Sequence, residues 1–202
     1  MIDYISNSDI FKKYKMKKDS LLQQKAFEEN PFSQNFKFFL GFEFDYIFHD
    51  SFFEGLKNFV KTSGDKTLVF YTINPSPEEY FYYHFKKYNV IELGVCTTDS
   101  ELNDIMTKDP GESPSDALCL NSNDICWFSD SKDWAILGSR NHELAIVGFT
   151  ELDMKNLFID CYSSKGQTMF TSLRNQINAL RDLSDEYTEE SFNQLLQNYT
   201  RN

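Results

Sequence analysis

Between Ala117 and Phe149 the chain sets four short apolar runs, Ala117–Leu120, Asp124–Phe128, Trp134–Leu137 and Glu143–Phe149, between polar connectors. Asn121-Ser122-Asn123, Ser129 to Asp133 and Ser139-Arg140-Asn141-His142 are too short to carry a crossover, and they are rich in turn-forming residues. Runs joined this way return beside one another, so an antiparallel meander is expected, and with it a sheet at the centre of the fold.

The first half of the chain adds to that sheet. From Phe36 to Phe48 the even positions are all Phe, Leu or Tyr, while Lys37, Glu43 and Asp45 fall on odd positions. This period of two predicts a strand with one buried face, and Gly41 reads as a bulge or bend. Phe52, Phe53, Leu56 and Phe59 then take helical spacing, closed by Gly64. Thr67–Ile73 is β-branched and aromatic, the composition of a buried strand. Asn74-Pro75 interrupts it, and Ser76-Pro77-Glu78-Glu79 has the order of a helix start. Phe81, His84, Phe85 and Tyr88 read as one face of that helix, Asn89 as its left-handed end, and Val90–Leu93 as the next strand. The unit predicts β-α-β, two parallel strands joined by a right-handed crossover. Thr98 and Glu101 have capping-box spacing before another short helix.

Helices are expected at both ends. Ser8 reads as a cap before Phe11, Tyr14, Leu21, Leu22 and Phe27, a stripe that runs to about residue 29. The lysines 12, 13, 15, 17 and 18 within it read as a solvated face. Met169, Phe170, Leu173, Ile177, Leu180 and Leu183 follow helical spacing, and Thr188 reads as the cap of a last helix through Tyr199. The expected fold is α+β: one domain over residues 1–202, with a mixed sheet of β-α-β unit and meander. Helical segments at 1–30 and 165–200 pack around it.

Charge narrows function. With 31 acids against 20 bases the chain carries a formal charge of -11, which disfavours phosphate backbones and anionic membrane surfaces as partners. No run approaches the length of a membrane span, and the first residues lack the pattern of a signal peptide. Cys96, Cys119, Cys126 and Cys161 form no CxxC pair and read as free, mostly packed thiols. The cytoplasm is the expected compartment.

No motif for nucleotide binding, metalloprotease, serine hydrolase or kinase chemistry is present. His49, His84 and His142 lack ligand spacing, so no metal and no cofactor are expected; Cys126 and His142, which flank the meander, are the nearest approach to a nucleophile pair. Arg140 and Glu143 bracket a turn beside Trp134, an arrangement that reads as a cross-strand ion pair and also supplies residue types common in interface hot spots. Between Glu92 and Asp130 nine acids accompany one base, Lys108. A second acidic stretch comprises Asp182, Asp185, Glu186, Glu189 and Glu190. Solubility explains most such surfaces; the sharper reading is an anionic face for a basic protein. On that reading Asp99, Glu101, Asp104, Asp109, Glu112 and Asp116, with Trp134, Arg140 and Glu143, are the partner-binding residues.

The run Trp134-Ala135-Ile136-Leu137-Gly138-Ser139-Arg140-Asn141-His142-Glu143-Leu144-Ala145-Ile146-Val147-Gly148-Phe149, together with Ser113 to Phe128, resembles a segment of uncharacterised bacterial proteins. Some of these are immunity proteins of polymorphic or contact-dependent toxin systems. The resemblance implies a small cytoplasmic protein that neutralises a cognate toxin by stoichiometric binding, and it carries over no binding residues; the acidic balance points to a basic toxin such as a nuclease. Two other readings stand beside it: a small-substrate enzyme using His84, His142 or a cysteine in a cleft, and an accessory or scaffolding protein.

Overall fold

The computed structural model describes residues 2–183 and 189–199. Along the chain run α1 (Ser8–Leu21), β1 (Phe38–Glu43), α2 (Asp50–Thr62), β2 (Thr67–Asn74), α3 (Tyr83–Phe85), β3 (Val90–Gly94) and α4 (Asp99–Met106). They are followed by β4 (Asp124–Ser129), β5 (Trp134–Ser139), β6 (Leu144–Phe149), α5 (Leu152–Asp160), α6 (Ser164–Gln167), α7 (Leu173–Leu183) and α8 (Glu189–Tyr199). The six strands form one sheet in the order β1-β6-β5-β4-β2-β3, with helices on both faces. The α+β class and the β4-β5-β6 meander are as expected.

Strand alternation sorts the core in two. Leu40, Phe42, Phe70, Ile91, Trp127, Trp134, Ile136 and Val147 point to one face, where α2, α4 and α5 cover them. Val69, Tyr71, Val90, Cys126, Phe128, Leu137 and Ile146 point to the other, beneath α1, α7 and α8. The central strands are buried on both faces, which is why β5 and β6 read as near-continuous apolar runs. Gly41 serves close approach: a Cβ there would lie 2.9 Å from Leu173 Cδ1 and 3.0 Å from Gln176 Cβ of α7. Its backbone also exchanges two hydrogen bonds with Thr171, which covers the outer edge of β1.

Several expectations fail for identifiable reasons. The sheet is antiparallel throughout, with no parallel β-α-β unit: Phe70 pairs with Ile91 and Tyr71 with Val90, in opposite directions. Even as a regular α-helix residues 77–85 would rise only about 13 Å, roughly half the ~26 Å of β2. The chain is also held where β2 ends, since Thr72 N–H donates to Asn89 O and the Asn89 amide donates to Pro75 O. Pro77–Tyr82 is a π-helix, with Phe81 N–H reaching Ser76 O, so 3.6-residue spacing misplaces His84, which is exposed. Lys86, not Asn89, takes the left-handed position.

The Phe36–Phe48 alternation gives a strand only over β1, and Phe44–Phe48 turns into a 3-10 helix beneath Gly138. Ala117–Leu120 is a turn, its amides bonded to Met106 and Ala117 carbonyls, because β2 already occupies that side of β4. At the termini, α1 is capped by Asn7 and stops at Leu21. Helix α5, which the sequence pattern did not signal, buries Phe158 among Phe59, Phe149 and Phe170. Thr188, Asp185 and Glu186 lie outside the described residues, as do the side chains of Asp182 and Leu183.

Candidate functional site

The acid-rich segment runs along α4 and the loop that follows. Thr98 and Glu101 close the expected capping box: Glu101 N–H donates to the Thr98 hydroxyl at 3.2 Å, and Thr98 N–H to the Glu101 carboxylate at 2.9 Å. The Thr98 amide and hydroxyl hold the Glu101 carboxyl below its ordinary pKa. Asp99 faces Lys57 at 3.5 Å. Asp109 shapes the loop by accepting the amides of Gly111 at 2.7 Å and Ser113 at 2.9 Å. Asp104 and Glu112 are exposed, and Lys108, the one cation of the segment, is paired with Asp3 at 3.0 Å.

Two of the expected docking residues are structural. Asp116 is buried and gathers the Tyr80 hydroxyl at 2.8 Å, the Ser113 hydroxyl and the Asn121 amide. Burial acts to raise its pKa, but the three donors outweigh it and hold the carboxyl below the usual value. This carboxylate staples the loop to the π-helix. Trp134 is fully buried, its indole N–H 3.4 Å from Asp65, which also accepts Ser129 and Ser131. It is a core residue and presents nothing to a partner.

Arg140 and Glu143 do not pair. Arg140 donates to Cys119 O at 3.0 Å, faces Asp45 at 3.6 Å and lies over the rings of Phe44 and Phe48. The guanidinium therefore gains ring contact and a carbonyl that the exposed Glu143, held at φ 49°, does not offer. Both residues border a shallow cavity of about 350 Å³ at the sheet end where β5 hands over to β6.

A larger cleft of about 620 Å³ opens at the same sheet end on the α1 side, with Leu22, Phe27, Ile73 and Leu137 among its walls and Asp124 and His142 on its rim. His142 Nδ1 meets the Ser139 hydroxyl at 2.8 Å and Nε2 meets the Glu28 carboxylate at 2.8 Å, while Phe27 stacks on the imidazole with centroids 4.6 Å apart. The order serine-histidine-carboxylate is that of a nucleophile relay. Ser139, however, is only 1% exposed although it belongs to the lining of the cleft, and its hydroxyl is committed to His142. The relay works as a tie. It fastens residues 27–30 to the β5–β6 turn, and Tyr199 and Asn198 of α8 grip the carbonyls of Phe27 and Glu28 from the other side.

Cys126 is a packed thiol, as its apolar neighbours imply: it is sealed in β4, burial pushes its thiol pKa up, and it forms no pair with His142. His49 lies beside Tyr46 and His84 beside Tyr80, each away from the cleft. Among the described residues no three His, Cys, Asp or Glu side chains gather in a metal-holding group, and no helix is long and apolar enough to cross a membrane. The structure thus keeps Asp99, Glu101, Asp104, Asp109 and Glu112 together on one segment, sets Arg140 and Glu143 at the sheet end, and withdraws Asp116 and Trp134. No family model, curated protein or solved structure matches the chain.

Proposed function

We propose that this chain is a protein-binding module that neutralises a basic protein, in the manner of the immunity proteins its Trp134–Phe149 run resembles, and that it does so in the cytoplasm. The observation that supports this most is the outward display of Asp104 and Glu112, flanked by Asp99, Glu101 and Asp109, on a segment whose only lysine is already paired. Such a surface attracts a cationic partner through its long-range field and repels nucleic acid, so it blocks a nuclease without competing for the nuclease's substrate. The enzyme reading is weaker, because Ser139 and Cys126 are both closed to solvent.

Co-expression with the product of the adjacent open reading frame tests the proposal. The expected result is relief of growth arrest and a 1:1 complex on gel filtration. Arrest that persists, with the two proteins eluting apart, would contradict it.

A further inference from the structure

The π-helix and the stapled loop meet in a strip that the sequence did not reveal. Tyr83 is 69% exposed and Leu120 is 62% exposed. Between them the contacts are continuous. The Tyr83 ring meets His84 edge-on with centroids 4.9 Å apart, and His84 meets Tyr80 at 5.0 Å. The Tyr80 hydroxyl then reaches Asp116 at 2.8 Å, and the Asn121 amide, next to Leu120, reaches the same carboxylate oxygen. Two large side chains that cost solvation are held out on a rigid base, since their neighbours are locked by rings and by a buried carboxylate.

The electrostatics of the strip select its partner. Residues 77–87 and 109–121 contain five carboxylates against Lys86 and Lys87; Asp116 is buried in the staple, Asp109 is held by loop amides and Glu78 is paired with Lys15, which leaves Glu79 and Glu112 facing solvent. The Lys87 ammonium is engaged by Pro110 O, and Lys86 lies over the rings of Tyr82 and Tyr83 at 5.6 and 5.9 Å. Within the strip the Tyr83 face therefore already accepts a cation, the contact that an arginine from outside would make in its place. Tyrosine is enriched among the residues that dominate interface energies, because it covers area at low entropic cost, and π-helical turns recur at functional sites.

We infer that the Tyr83–His84–Tyr80–Leu120 strip is the docking face, and that it receives an arginine-bearing loop of a basic protein. This rests on the protein-binding reading above and names the surface that performs it. A guanidinium group stacks on Tyr83 while Glu79 and Glu112 supply the charge, and Leu120 anchors the apolar part of the loop.

The test is amide chemical-shift mapping of the full chain titrated with a hexa-arginine peptide at low salt. Shifts are expected to concentrate at residues 79–84, 112 and 118–121. The Tyr83→Ala, Leu120→Ser double variant is expected to weaken binding about tenfold, while Leu152→Ala, at an exposed apolar site on α5, leaves it unchanged. Shifts dispersed over the surface, no binding, or full affinity in a double variant with an intact spectrum would each overturn the strip. The neighbouring gene's product separates the two proposals. If it binds the double variant as it binds the natural chain, the strip fails and the inhibitor reading stands; if it binds neither chain while the peptide maps to the strip, the inhibitor reading fails alone.

Discussion

Gly55 sits in the middle of α2, where alanine would ordinarily improve a helix by about 0.8–1 kcal/mol. Here the ring of Tyr162 lies 2.3 Å from the position a Cβ would take, and that ring is itself packed against Phe52, Phe158 and Phe170. Overpacking of a filled core costs about 1–3 kcal/mol, so the clash outweighs the helix gain. Gly55→Ala is expected to lower the urea midpoint without changing the slope of the transition. Glu28 offers a pH-resolved check. Burial acts to raise its pKa, yet the hydrogen bond and charge of His142 win and leave it below the ordinary 4.5. A carboxyl lowered on folding stabilises the protein above its unfolded value, and that contribution disappears as pH falls from about 4.5 through the lowered folded value. Unfolding midpoints of Glu28→Gln against the natural chain should therefore differ at pH 7 and draw together as the pH falls below 4.5. A constant difference across that range would contradict the tie.

At the scale of elements, the meander was legible because short apolar runs and turn-length connectors admit one pairing, and β4, β5 and β6 fall within two residues of the reading. The stretch from Ser76 to Asn89 misled for a physical reason. Its capping signals are real, since Ser76 accepts the Glu79 amide, but cap chemistry does not distinguish an α-helix from a π-helix, and periodicity assumes the first. Alternation likewise could not show that Phe44–Phe48 leaves the sheet, because its aromatic side chains are buried in either conformation. The loop from Asp109 to Asn121 depends on Asp116, whose three donors lie on both sides of it. Asp116→Ala strips partners from Tyr80, Ser113 and Asn121 and is expected to cost about 2 kcal/mol. Amide exchange should quicken at residues 109–121 and stay unchanged in β4–β6; uniform acceleration would show that the staple is global.

For the whole molecule, the composition gave the sign of the surface but not its arrangement. Nine acids between Glu92 and Asp130 look equivalent in the sequence, whereas in the fold Asp116 is an internal staple, Asp109 shapes a turn, and Asp104 and Glu112 face solvent. Trp134 and Arg140 are residue types that favour interfaces, and the fold uses the first in its core and the second over a pair of rings. The exposed Tyr83 strip has no signature in the sequence, because exposure of an aromatic residue follows from packing, which no local pattern records. The central claim is that a cationic protein is drawn to this surface by charge. Its most direct test is the association rate constant with the adjacent gene's product, measured from low to high salt for the natural chain and for Asp104→Asn, Glu112→Gln. The rate is expected to fall at least about tenfold with salt, and the double variant to start lower and fall less, with dissociation nearly unaffected. A rate constant indifferent to salt and to both substitutions would contradict the claim.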